Sequence, residues 1–291
     1  MKKGPVTPKG FRDIVPEMAA KRRKTINTIA DVLDGYGFVP LETPTIEFAE
    51  TLAGKYGEEE KLIYKFTDRG GRELALRYDL TVPLARFIAN NMGLIQGNAF
   101  RRYQLGQAFR GENPQSGRYR EFTQFDFDTV GVKSAEEDAL IIAAAIQSFR
   151  KLGFDKSQMA VNDRENFKDL PIEDIREIDK IYKVGKEKTR KELLDFIDKS
   201  SPTPNLNEIF KILEEKYSLK EGEDFFFDPT LARGLDYYTS TVIEMKPNGK
   251  PEDQTAGAGG RYDKLIGMFA GKDIPAVGFS FGIDRLTELL P

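Results

Sequence analysis

Several short segments concentrate side chains able to do chemistry. In "EFTQFDFDTVG", residues 121–131, period-two alternation sends Phe125 and Phe127 one way and Gln124, Asp126 and Asp128 the other. Two carboxylates and an amide on one face are either the solvated side of an antiparallel sheet or a polar floor. "FRGENPQSGRYREF" gathers Arg110, Arg118 and Arg120 around a turn with Glu112 among them. Guanidinium groups grip phosphate bidentately, so a loop joining two strands here could hold a bent nucleoside triphosphate; a salt-bridged hairpin tip has the same composition. "RGLDYYTST" packs Arg233, Asp236, Tyr237 and Tyr238 into one turn, and "AGAGGRYD" sets Gly257, Gly259 and Gly260 before Arg261 and Tyr262. Such glycines allow close backbone approach to a ligand or serve a tight turn at positive φ. Neither the phosphate-loop nor the dinucleotide-binding spacing is met. In "VGFSFGIDRL" a strand ends at Gly282 and a helix begins with Arg285 in its first turn, where the helix dipole disfavours a cation. A nucleotide beside it would offset that cost.

Composition narrows the chemistry further. The 291 residues contain no Cys and no His, which excludes disulfides, thiolate nucleophiles, imidazole bases and the common zinc sites. Catalysis must then run on carboxylates, Arg, Lys, Tyr, backbone dipoles or the substrate itself. A net charge of -3 argues against generalised nucleic-acid coating. No apolar run is long enough to span a bilayer and no apolar stretch follows the N-terminal lysines, so a cytoplasmic protein with no membrane partner is expected.

The positioning elements follow from periodicity. Residues 17–36 read as an amphipathic helix, "FVPLETPTIEF" as extended chain, and "KLIYKFTD", "ELALRYD" and "EFTQFDFDTVG" as strands, with a helix in "LTVPLARFIANNM". "SAEEDALIIAAAIQSFRKLG" is a helix with Ser134 as N-cap, Glu137 at the capping-box position and Gly153 beyond its end. Lys/Glu-rich helical periodicity then runs through residues 164–223, and strand texture returns afterwards. The expected fold is α+β: a mostly antiparallel sheet flanked by helices, with a core in two parts, 1–163 and 224–291, around a small helical insertion, 164–223.

Taken together these segments resemble the histidyl-tRNA synthetase family of class II aminoacyl-tRNA synthetases. "GYGFVPLETPTIE" is similar to the first class motif, whose proline, here Pro44, sits at a dimer interface; "FRGENPQSGRYREFTQFDFD" is similar to the second and "AVGFSFGIDRL" to the third. "LARGLDYYT" and "AGGRYD" are peculiar to the histidine branch. The resemblance implies activation of histidine by ATP, with Mg2+ across the β- and γ-phosphates, transfer to the acceptor end of tRNA(His), and a homodimer. It implies that Arg110 binds the α-phosphate and the amino-acid carboxylate, Glu112 the adenine amino group, and Phe122 with Arg285 the adenine ring. Asp79, Thr81 and Gln124 would hold the α-ammonium, Asp128 and Tyr238 the imidazole, and Tyr262 would close that pocket. Arg233 would stabilise charge at the α-phosphate without a protein base. Thr123 and Asn113 depart from the His and Arg that many members carry. The sequence ends just after the third motif, so a catalytic domain without the anticodon-binding domain, charging tRNA weakly, is the expectation. A paralogue is the other reading: the histidine-binding regulatory subunit of ATP phosphoribosyltransferase, or another non-catalytic synthetase-like module.

Overall fold

The structure, a computed structural model, describes residues 5–113, 119–232 and 237–291. Its strands are β1 (Val39–Pro40), β2 (Ile46–Phe48), β3 (Lys65–Thr67), β4 (Glu73–Leu76), β5 (Phe100–Phe109), β6 (Glu121–Val130), β7 (Gln158–Asp163), β8 (Phe225–Phe227), β9 (Thr241–Lys246), β10 (Gly257–Arg261) and β11 (Ala276–Gly282). Among the described residues eight of them form one sheet in the order β1-β5-β6-β11-β10-β9-β7-β8, and β2-β4-β3 form a small second sheet. Only the outer pairs β1–β5 and β7–β8 are parallel. The architecture is therefore α+β with a mostly antiparallel sheet.

Alternation in β6 has a physical outcome. Phe125 and Phe127 enter the main core with Phe149, Phe279 and Phe281, and the Phe127 and Phe281 rings stack with centroids 5.8 Å apart. The helix Ala135–Lys151 covers this face; its Ala143, Ala144 and Ala145 permit close approach while Ile141, Ile142, Ile146 and Phe149 fill the space. Ser134 is its N-cap, but the Ser134 side chain makes no capping hydrogen bond. The reciprocal capping box is absent because the Glu137 carboxylate pairs with Arg101 instead, at 2.6 Å. A charge-assisted bond to a guanidinium outcompetes a single backbone N–H.

Two further readings need correction. In "KLIYKFTD" the strand is only Lys65–Thr67, since Lys61 and Leu62 close the 3-10 helix Gly57–Leu62. "ELALRYD" stops being strand at Leu76, where Arg77 turns its guanidinium onto the carbonyls of Thr43 and Gln107. Of the two roles open to the glycines of "AGAGG", close approach and a tight turn, the turn is not found: Gly257, Gly259 and Gly260 lie in β10, between β9 and β11. A Cβ on Gly259 would sit 2.0 Å from the Gly278 carbonyl oxygen, so close strand approach is what demands glycine there. Within residues 164–223, the helix Pro204–Tyr217 buries Leu206, Ile209, Phe210 and Leu213 in the main core. The helices Ile172–Ile178, Ile181–Val184 and Lys191–Lys199 instead form a separate cluster around Phe167, Ile178, Ile181, Leu193 and Ile197.

Candidate active site

Register across three strands builds a polar floor on the face of the sheet away from the phenylalanines. Opposite Gln124 stand Gly106 and Gly282, opposite Asp126 stand Gln104 and Ser280, and opposite Asp128 stand Arg102 and Gly278. A Cβ at Gly278 would lie 1.9 Å from Asp128 Oδ1, so glycine is what leaves that carboxylate its place. Asp128 Oδ1 accepts a hydrogen bond from the Tyr262 hydroxyl. Its other oxygen lies 2.7 Å from Arg102 Nη2. Burial raises the Asp128 carboxyl above its ordinary range, against the opposing pull of Arg102 and Tyr262. Tyr262 is pushed well up by burial and by the Asp128 charge, so the proton of this pair belongs to the phenol. Asp126 is pushed up to about 7, chiefly by burial. Gln124 Nε2 donates to Ser280 Oγ at 3.0 Å, and its Oε1 is buried with no hydrogen-bond partner.

Asp79 forms a second acidic wall at the start of the helix Thr81–Asn90. Its Oδ1 accepts from the Tyr56 hydroxyl at 3.0 Å and from the backbone N–H groups of Thr81 and Val82 at 3.1 and 3.0 Å. Burial still raises its pKa, while those bonds and Arg110 oppose the rise. Arg110 is held between two rings, with its guanidinium carbon 4.2 Å from the Tyr78 centroid and 4.9 Å from that of Phe122. Arg120, in the same hairpin, donates to the carbonyls of Glu112 and Lys9, while the tip itself, residues 114–118, lies outside the described residues. Arg285 donates to the Thr255 carbonyl at 3.0 Å. Its place in the first turn of the helix Ile283–Leu289 is offset by Asp284, which accepts from Thr123 N and Arg22 Nη1, each at 2.6 Å, and from Arg12.

These groups converge on one cavity of about 820 Å³. Asp79, Thr81, Gln124, Asp128, Tyr238 and Tyr262, expected around an amino acid, all line it. So do Arg110, Glu112, Phe122 and Arg285, expected around ATP. Arg233 lies outside the described residues, as do Arg118 and Asp236. Not singled out from sequence were Tyr78, which carries Arg110, and Ser280, which anchors Gln124. Asp126 was visible in the alternation but had no role, and Arg102 carried no local signal. Arg261, beside Tyr262, is structural: it is buried against Asp138, Asp263 and the Ser134 carbonyl, tying β10 to the helix Ala135–Lys151.

The mostly antiparallel sheet that carries this cavity has the class II aminoacyl-tRNA synthetase fold of its solved neighbours. The solved histidyl-tRNA synthetase from Nostoc superposes on 99% of this chain and 75% of its own, with a TM-score of 0.78 at 28% identity. A Bacillus halodurans structure described as an ATP phosphoribosyltransferase regulatory subunit/histidyl-tRNA synthetase has a TM-score of 0.82, covering 100% of this chain and 84% of its own; at 23% identity it speaks for the fold alone. The family model "Histidyl-tRNA synthetase" matches residues 10–221 and 187–286. The histidine–tRNA ligase of Aeropyrum pernix is 41% identical over 98% of this chain and 74% of its own length, and that of Treponema denticola 36% over 97% and 72%. The chain belongs to the histidyl-tRNA synthetase family.

Proposed function

We propose that the chain activates histidine with ATP and passes it to the acceptor end of tRNA(His). The observation that carries this reading is the meeting of Asp79, Gln124, Asp128 and Tyr262 with Arg110, Phe122 and Arg285 around one cavity. In the first step a histidine carboxylate oxygen attacks the α-phosphorus of ATP, the new C–O–P linkage forms, and the bond to the β-phosphate oxygen breaks to release pyrophosphate. Arg110, steadied by Tyr78 and Phe122, is aimed to hold the carboxylate and the α-phosphate together, which supplies orientation and charge stabilisation without a protein base. Arg233 is assigned the same electrostatic work by family resemblance. In the second step a 3′-terminal ribose hydroxyl of the tRNA attacks the activated carbonyl and AMP leaves.

Asp79 and Gln124 suit the α-ammonium, since one is an acceptor fixed by three donors and the other keeps a buried acceptor unused. Asp128 and Tyr238 suit the imidazole. Phe122 and Arg285 would flank adenine and Glu112 would accept from its amino group. Mg2+ would enter as part of the nucleotide substrate and supply charge neutralisation at its phosphates.

A homodimer is supported by an apolar surface: Val39, Ile46, Phe48, Phe66 and Leu105 are exposed, and Ile46, Phe48 and Phe66 share one face of the small sheet. Among the described residues no helix is long and apolar enough to cross a membrane. A cytoplasmic site of action fits this chemistry. Histidine-dependent ATP–pyrophosphate exchange, measured beside tRNA charging on the same preparation, tests the reading. Exchange supports adenylation; histidine binding with no exchange moves the chain to the regulatory, non-catalytic reading.

A further inference from the structure

Arg102 lies beneath the floor, with none of its surface exposed and no part in the cavity lining. It is the register partner of Asp128 on β5, and its Nη2 lies 2.7 Å from Asp128 Oδ2. Yet none of Nε, Nη1 and Nη2 makes a directed hydrogen bond. An arginine placed for its fork geometry would engage carboxylate or carbonyl oxygens along its N–H directions. What Arg102 supplies here is charge. Asp126 and Asp128 stand two residues apart on one strand face, and Asp79 raises Asp126 further. For both floor carboxyls Arg102 is the largest influence opposing the effect of burial. Of the other cations nearby, Arg77 is committed to the carbonyls of Thr43 and Gln107, and Arg110 faces Asp79 from between its two rings. Strand β11 presents only Gly278 and Ser280 at this place.

We propose that Arg102 is a specificity-determining positioning residue: its buried charge cancels one of the two floor carboxylates, so that the cavity takes an α-amino acid whose side chain arrives as a neutral N–H donor and rejects one of similar reach whose side chain is a fixed cation. Without it, a cationic side chain entering the cavity would itself become the counter-charge that keeps Asp128 ionised, and discrimination is a difference of affinities that such a gain erodes. This rests on the reading that the cavity holds histidine.

The test is titration calorimetry on the full chain at pH 7.5, with histidine and with ornithine. At that pH imidazole, with an ordinary pKa of about 6.5, is mostly neutral, whereas a side-chain alkylammonium near 10 is fully charged. In Arg102→Met the ratio of ornithine Kd to histidine Kd should fall at least tenfold; in Arg102→Lys it should stay within threefold of the parent value, because charge rather than the fork is what acts. A methionine variant with an unchanged ratio, or a lysine variant that loses selectivity as far as the methionine one, overturns the proposal. If Arg102→Met is not recovered folded, Arg102→Lys decides alone: retained selectivity supports the proposal and a tenfold loss overturns it. Calorimetry reads binding only, so a parent chain that binds histidine without exchange would count against adenylation and leave this ratio intact. A parent chain that binds neither amino acid would overturn both.

Discussion

Asp128→Asn is the sharpest probe of how the cavity reads histidine. The substitution keeps the shape and removes the charge. Asp128 is almost fully buried, its Oδ1 accepts from Tyr262, and its Oδ2 sits against Arg102, so an amide there must turn an NH2 toward one of two donors. A hydrogen bond to a charged group is worth about 1.5–3 kcal/mol, so losing the ionic acceptor for an imidazole N–H should weaken histidine binding by roughly tenfold to 150-fold. The fold should suffer as well, because Arg102 loses its counter-charge; breaking a buried pair costs about 3–5 kcal/mol, and Asp126 on the same strand face moderates the loss. ATP binding should change by less than about threefold, since Arg110, Phe122 and Arg285 do not touch this carboxylate. The assay is calorimetric titration of each ligand in turn, with pyrophosphate exchange to give the histidine KM and the rate separately. Equal losses for ATP and histidine, or a histidine effect under threefold, would refute the assignment of Asp128 to the imidazole.

Gly278→Ala should abolish measurable histidine binding while ATP still binds, because its Cβ would overlap Asp128 Oδ1; near-parent histidine affinity in calorimetry would contradict the built floor. Asp126 gives a pH signature. Its folded pKa of about 7 is raised above that of an exposed carboxyl, so the stability it contributes is full below the unfolded pKa and is lost as pH rises through 7. Asp126→Asn should therefore gain on the parent chain between pH 5 and pH 8, by up to roughly 2.6 kcal/mol, in urea unfolding at the two pH values; parallel pH profiles would show that Asp126 does not titrate this way. Arg233→Ala should slow exchange by about 10² to 10³ with histidine affinity kept, the usual cost of one preorganised donor; a binding loss at unchanged rate would reverse its role. Leu105→Glu should shift sedimentation toward monomer, and an unmoved distribution would take Leu105 out of the dimer contact.

How much of this was legible in the sequence depended on whether the signal was local. The β6 face could be read because alternation runs unbroken from Gln124 to Asp128 with phenylalanines between. Strand β5 could not be read, because its pattern is inverted: Arg102 and Gln104 are buried while Leu105 is 40% exposed. Hydropathy alone would turn that strand inside out, and only its register against β6 shows why its polar residues face inward. The β10 glycines were ambiguous for a related reason, since the close approach that requires them belongs to a neighbouring strand. Glu137 sat at a capping position by spacing, but Arg101, distant in sequence, claims it. Arg110, Phe122 and Arg285 were assigned through resemblance, and their meeting on one cavity is a property of the fold that no single segment carries.

Strand β11 is the latest of the described strands in chain order, yet it lies in the middle of the large sheet, between β6 and β10. As the chain leaves the ribosome from its N-terminus, β6 pairs readily with the adjacent β5 but keeps an unpaired edge until residues 276–282 emerge. Throughout that interval Phe125 and Phe127 lack Phe279 and Phe281, and Gln124 lacks Ser280. The β5–β6 hairpin is thus a local, early structure with an open, phenylalanine-bearing edge, the kind that invites pairing with another chain. Completion of the amino-acid floor and protection of that edge become the same event in the history of each molecule, so a half-made chain exposes an adhesive edge and holds no finished site.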